Sequence, residues 1–175
     1  MTVSDKSNLS NPLISSLIDQ LQEIQSGNLW LGVNFEKKLK LLDREGFFYK
    51  PNELHSVAEL LSHLTVWRKD VIIKITTGKG NITDCDPSNW ADNEALKKLG
   101  RKNIMSEYKS TLSTIIDLLK DRSDAFLNDH YFDIDFKGSY PYSFALYGLL
   151  HHDIYHLGQI GILITMLKKI GKSCS

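Results

Sequence analysis

Three of the chain's six histidines fall within six positions, in His151-His152-Asp153-Ile154-Tyr155-His156. They lie inside an apolar-periodic run, residues 142–170, which predicts a long helix. On a helix, His152 and His156 stand one turn apart on one face. Such an i, i+4 pair can offer two imidazole nitrogens to one metal ion. A third ligand must come from elsewhere, and His63, on another strongly helical segment, is the candidate. The glutamate that follows the first histidine in zincin proteases is replaced by Asp153, so the pattern suggests a metal but not a protease. The plainer alternative is that all three are core or surface histidines whose nitrogens find hydrogen-bond partners.

The elements that would position these residues are legible as helices. Asn11 reads as an N-cap and Pro12 as the first residue of a helix carrying Leu13, Leu17, Leu21 and Ile24 on one face, up to the break at residues 26–28. A link follows, residues 28–53, with Trp30, a short helix-prone piece at 35–42, and breaks at Gly46 and Pro51. Trp30 and Phe35 are expected in the core or as a packing wedge, with a pocket wall as the alternative for either. Ser56 and Glu59 have capping-box spacing and open a second helix, with Val57, Leu60, Leu61, Leu64, Trp67, Val71 and Ile75 as its apolar stripe. His63 sits at the edge of that stripe. His55 is expected to be exposed or a cap.

Gly78 and Gly80 end the second helix, and residues 82–91 read as a loop in which Asp84, Asp86 and nearby Asp92 are turn residues, not a calcium loop. A third helix is predicted at residues 93–119, with Tyr108, Leu112, Ile115, Ile116 and Leu119 on one side. A short helical turn or loop at 121–129 and an extended segment at 130–140 lead to Pro141, expected at the first position of the last helix. The apolar positions of that helix are read as Phe144, Tyr147, Leu150, Ile154, Ile160, Ile164 and Leu167. Four long helices predict an all-α bundle, with a metal site built from inward side chains on facing helices.

Composition narrows the class. With 175 residues the chain is expected to form a single domain, residues 1–10 being a flexible segment before it. Lys plus Arg equals Asp plus Glu at 21 each, so no basic excess invites nucleic acid. No apolar stretch approaches the roughly 18 residues of a membrane span. The N-terminus lacks the apolar core of a secretion signal, and two cysteines, Cys85 and Cys174, make no disulfide framework. A cytoplasmic protein is expected, with no nucleic-acid or membrane partner.

Ser62-His63-Leu64, together with His152-Asp153-Ile154-Tyr155-His156-Leu157-Gly158-Gln159-Ile160, resembles the signature of the DinB/YfiT-like superfamily of metal-binding four-helix bundles. The resemblance extends over nearly the whole chain in length and helix order. It implies an up-down-down-up bundle, often a homodimer, holding zinc or nickel through His63, His152 and His156. It also implies an open coordination position, as in catalytic sites. Relatives include S-transferases and isomerases that use low-molecular-weight thiols such as bacillithiol or mycothiol, and metal-dependent hydrolases. The expected activity is therefore a thiol S-transferase ahead of a hydrolase acting on a small molecule. The alternatives are a bundle that holds metal without turnover and a purely structural one.

The neighbouring residues have readings of their own. Gly158 is costly in a helix interior unless another helix approaches closely. Gln159 could hydrogen-bond a ligand histidine or cap a buried backbone group, and Glu59 could orient His63, though its capping role is simpler. His151 is rotated off the ligand face, and Asp153 is expected at the surface. Trp90 and Tyr131 are expected in the core, with a pocket wall as the alternative, and His130 carries little functional weight. No catalytic acid or base is assigned.

Overall fold

The computed structural model describes residues 11–52 and 54–171. The segment 1–10 and Cys174 lie outside the described residues. In chain order the helices are α1 (Pro12–Gln25), α2 (Phe35–Leu39), α3 (Arg44–Phe48), α4 (Val57–Thr77), α5 (Asn93–Leu99), α6 (Arg101–Leu119) and α7 (Tyr142–Lys169). A small antiparallel hairpin, β1 (His130–Asp133) with β2 (Gly138–Pro141), pairs Tyr131 with Tyr140 and precedes α7. The protein is thus mostly helical, as expected, with the predicted extended segment forming this hairpin. No helix among the described residues is long and apolar enough to cross a membrane.

Each long helix buries one row of side chains. Ile14, Leu17, Leu21 and Ile24 are buried on α1, and Ile104, Tyr108, Leu112, Ile115 and Leu119 on α6. On α4 the buried row is Leu61, Leu64, Arg68, Val71 and Ile75, so a guanidinium occupies a core position. On α7 it is Leu146, Leu149, Asp153, Leu157, Ile160, Ile164 and Leu167. The two polar members face each other. Arg68 Nη2 donates to Asp153 Oδ2 at 2.6 Å, and both side chains are fully buried. The guanidinium also donates to the Tyr108 carbonyl and hydroxyl on α6, at 3.1 and 3.0 Å, and packs over that ring.

Contacts between helix ends set directions. Ser56, the N-cap of α4, donates its hydroxyl to Asn93 Oδ1 at the start of α5, which places the starts of α4 and α5 together. The Asp124 carboxylate, just after α6, accepts from the Leu13 and Ile14 amides in the first turn of α1. The Tyr142 hydroxyl, at the start of α7, donates to the Lys74 carbonyl near the end of α4. His63 meets His152 further along the same pair, so α4 and α7 run antiparallel.

Several local expectations change. Asn11 precedes α1 but makes no side-chain cap bond; Asp124 supplies the acceptor from the other end of the chain. Leu13 is exposed and Ile14 takes its core position. The segment expected at 35–42 is helical only to Leu39, and Gly46 lies inside α3, where Asp43 caps its amide. The third helix breaks at Gly100, whose φ of 86° is open to glycine but strained for other residues, separating α5 from α6. Pro141 ends β2, and α7 starts one residue later. On α7, Phe144, Tyr147 and Ile154 are exposed, because Asp153 and Leu149 hold the buried face. Trp30, expected to be packed, is 95% exposed.

Removing one partner of a buried ion pair leaves the other charge stranded, which is worse than replacing both by apolar groups. Asp153→Ala is therefore expected to cost about 3–5 kcal/mol in urea unfolding. The double variant Arg68→Met/Asp153→Leu is expected to recover most of that loss.

Candidate metal centre

His63 is carried by α4 two turns after its capping box, in which Ser56 Oγ accepts from the Glu59 amide and Glu59 Oε2 from the Ser56 amide. Glu59 thus caps the helix and pairs with Lys50 at 2.9 Å, and it does not orient His63. That role falls to Asn89, in the one-turn 3-10 helix Pro87–Asn89, whose backbone carbonyl accepts from His63 Nδ1 at 3.2 Å. The buried Asn89 side chain accepts from Trp67 Nε1 at 2.8 Å and donates to the Asp84 carbonyl at 3.0 Å. One asparagine thus ties the loop 78–92 to two residues of α4. Nothing in the sequence singles Asn89 out except the Asp86-Pro87 start of its turn, where Asp86 caps the Ser88 amide.

His152 and His156 project from one face of α7, as the spacing predicts. His63 Nε2 and His156 Nε2 each lie 3.0 Å from His152 Nε2, and the three nitrogens all fall within 4.8 Å of one another. His156 Nδ1 is held by Gln159 Oε1 at 2.7 Å, the hydrogen bond that the sequence suggested. Gly158 behaves otherwise than expected. A methyl group there would meet nothing within 4 Å, so no close helix approach requires the glycine. Asp153, read as a surface residue, is the fully buried partner of Arg68. His151 is exposed and His130 lies exposed on β1, outside the cluster.

The hydrogen bonds decide which nitrogens are free. Both His63 and His156 donate from Nδ1 to an oxygen, so each presents a bare Nε2 lone pair to His152. If His152 carries its proton on Nδ1, three lone pairs converge without a donor. If the proton sits on Nε2, it serves only one neighbour, and the buried Nδ1 has no partner among the described residues. Each unsatisfied atom of this kind costs about 1–3 kcal/mol. A single cation accepts all three lone pairs, so the residues present fit a divalent metal.

Burial makes the same point electrostatically. It pushes the His152 imidazole down to about 3, with His156, His63 and Arg68 adding to the effect. Burial takes His156 to about 4 against the opposing Gln159 bond, and lowers His63 against Asn89. All three are neutral at neutral pH and ready to ligate. Trp90 covers one face of His63, with ring centroids 4.0 Å apart and planes 4° from parallel, and His55 stacks on its far side at 3.7 Å. Trp90 therefore packs against the candidate ligand, and the exposed His55 completes the stack.

Beside the cluster, between α4, α7 and the hairpin, lies a cavity of about 750 Å³. His63 and His152 form part of its wall, with Trp67, Tyr131, Phe144 and Tyr147 among its aromatic residues. Tyr131 is buried, so it serves both as core and as pocket wall. Among these wall residues lies Lys74, whose ammonium lies 2.7 Å from Asp70 and 2.8 Å from Asp133. Burial pushes the Asp133 carboxyl up, but Lys74 and the Asp135 and Phe136 amides outweigh it and hold it below the ordinary carboxylate value.

The chain is thus a mostly helical protein in which two facing helices bring together three histidines that could hold a metal ion. The chain belongs to the DinB superfamily, whose family model matches residues 32–160, from just before α2 through the histidines of α7. No curated protein gives a significant match to the chain.

Two predictions follow from the geometry. Because the folded histidines titrate below the unfolded value of about 6.5, the unfolded chain binds more protons between that pH and the folded values. Stability of the metal-free protein is then full above about pH 6.5 and falls as the pH drops toward 4, which urea titrations across that range would measure. Gly158→Ala, on an open helix face, is expected to stabilise the protein by about 0.5–1 kcal/mol and to leave metal content unchanged.

Proposed function

We propose that this DinB-superfamily protein is a metal-dependent enzyme, with His63, His152 and His156 as ligands to one divalent ion; imidazole suits several such ions, and zinc or nickel is what the family resemblance implies. The observation that carries the reading is the convergence of three Nε2 atoms beside a cavity that His63 and His152 line and that is large enough for a small substrate. Three protein ligands leave a coordination position for a reactant, as in catalytic rather than structural sites. A bound ion would supply Lewis acidity to a thiol or a water used as nucleophile, and we place the thiol S-transferase first and the hydrolase second.

The chain's own residues have clear parts in this scheme. Asn89 and Gln159 fix the rings of His63 and His156 with Nε2 facing inward. Trp90 packs against His63, and the Arg68–Asp153 pair fixes the facing of α7 against α4. The contacts between helix ends support the up-down-down-up order for α1, α4, α6 and α7 that the family resemblance implies. The alternative, a bundle that holds metal without turnover, shares every one of these features and differs only in lacking activity.

Elemental analysis of tag-free protein is expected to find about one divalent ion per chain, lost in His63→Ala and His152→Ala. Gln159→Leu, which removes only the orienting bond, is expected to weaken metal affinity about 10-fold or more. Metal-loaded protein is then assayed for conjugation of low-molecular-weight thiols to a panel of electrophiles, beside an esterase and amidase panel. Metal-dependent thiol conjugation supports the first reading, hydrolysis the second. A loaded protein silent in both panels points to holding without turnover.

A further inference from the structure

The cavity beside the histidines has a marked chemical character. Along α4 its wall is the sequence His63, Trp67, Val71 and Lys74, one stripe about three turns long, roughly 16 Å at the helical rise. Across from it, α7 and the hairpin contribute further aromatic rings. A ligand lying there meets aromatic rings from α4, α7 and the hairpin, which apolar bodies and cations both favour.

Its charges are one-sided. Lys74 is the only lysine or arginine in the wall among the described residues, whereas Asp84, Asp133 and Asp135 all line it. Nor is Lys74 available to an anion, since its ammonium is held between Asp70 and Asp133. Asp133 is in turn occupied by Lys74 and by the Asp135 and Phe136 amides. Asp84 and Asp135 are different. Asp135 Oδ1 accepts from the Asp84 amide, which brings the two residues together, and neither carboxylate has an ion-pair partner among the described residues. Aromatic walls with two uncompensated carboxylates describe a receptor for a cation on an apolar body.

We infer that the cavity takes a substrate with an aromatic or aliphatic body and a positively charged amine head, and that it disfavours anionic substrates. This deepens the proposed function and rests on it only in treating the histidine cluster as the reacting end. Asp84 and Asp135 are then specificity-determining residues, and Trp67 and Phe144 clasp the body of the ligand.

The test uses two ligands of matched length and opposite charge, 4-phenylbutylamine and 4-phenylbutyrate. Calorimetric titrations are made on the full chain stripped of metal by a chelator, because a carboxylate would otherwise ligate the ion directly. The amine is expected to bind about ten-fold tighter, the size of one cation–π contact plus one partly screened carboxylate. Asp84→Asn/Asp135→Asn is expected to shrink that preference several-fold, by weakening the amine and by relieving the repulsion of the carboxylate. Equal affinities, a preference for the carboxylate, no binding of either at millimolar concentration, or a preference unchanged in the double variant would each overturn the inference. Failure of the metal reading is seen separately. A chain that takes up no metal yet prefers the amine contradicts the proposed enzyme only, and a chain that takes up metal yet shows no preference once stripped of it contradicts this inference only.

Discussion

Arg68 and Asp153 meet at 2.6 Å between α4 and α7, with neither side chain reaching water. Burying two charges costs several kcal/mol per ion, and only close geometry with further hydrogen bonds offsets it. Further bonds are present on the guanidinium side, since Tyr108 on α6 accepts from it through its carbonyl and its hydroxyl, whereas Arg68 Nε and Asp153 Oδ1 have no hydrogen-bond partner among the described residues. Three helices thus share one polar knot in an otherwise apolar core. A rotation of α7 that would cost an apolar row little would strand Asp153 without its partner. Because Asp153 follows His152 directly, the constraint that sets its facing also sets which way His152 and His156 point.

The three histidines are held by different means. His156 is oriented within its own helix by Gln159, three residues on. His63 depends on a loop, through the Asn89 carbonyl on one ring edge and Trp90 against one ring face. His152 has no hydrogen-bonding group on Nδ1 among the described residues, and its place follows from Asp153 and from its two histidine neighbours. The loop 78–92 therefore does as much for the cluster as α4 does. It also supplies Asp84 to the cavity wall, so ligand orientation and pocket chemistry are coupled through one short segment.

Stability and function pull apart at several positions. An apolar core would not need Arg68 and Asp153, and a helix would be better served by alanine than by Gly158 on its open face. Lys74 is likewise an ion buried near the surface of a cavity, held by two acids in place of solvent. Such groups restrict which arrangement of the helices is tolerable, since each alternative packing leaves a charge unpaired. The cavity itself removes apolar contacts that a filled core would make, which is a structural cost borne beside the candidate metal centre.

Helical periodicity, the Ser56–Glu59 capping box and the i, i+4 histidine pair are local patterns, and the structure reproduces them because each depends on residues within a turn or two. The same holds for the Gln159 bond to His156. What failed in the sequence reading was the phase of amphipathic faces and the origin of distant partners. Phe144 and Ile154 looked like core residues by hydropathy, yet α7 turns them outward because an ion pair, invisible to hydropathy, claims the buried face. A seven-residue rhythm through Leu61, Arg68 and Ile75 was the available hint that Arg68 faces inward. The cap of α1 came from Asp124 and the orienting carbonyl of His63 from Asn89, both far along the chain. By itself, then, the sequence determined the helices and the three histidines as candidates, because those follow from short-range spacing. Only tertiary structure decided that the three nitrogens converge, which groups orient them and what lines the cavity, because those are set by the packing of segments whose contacts no local pattern encodes.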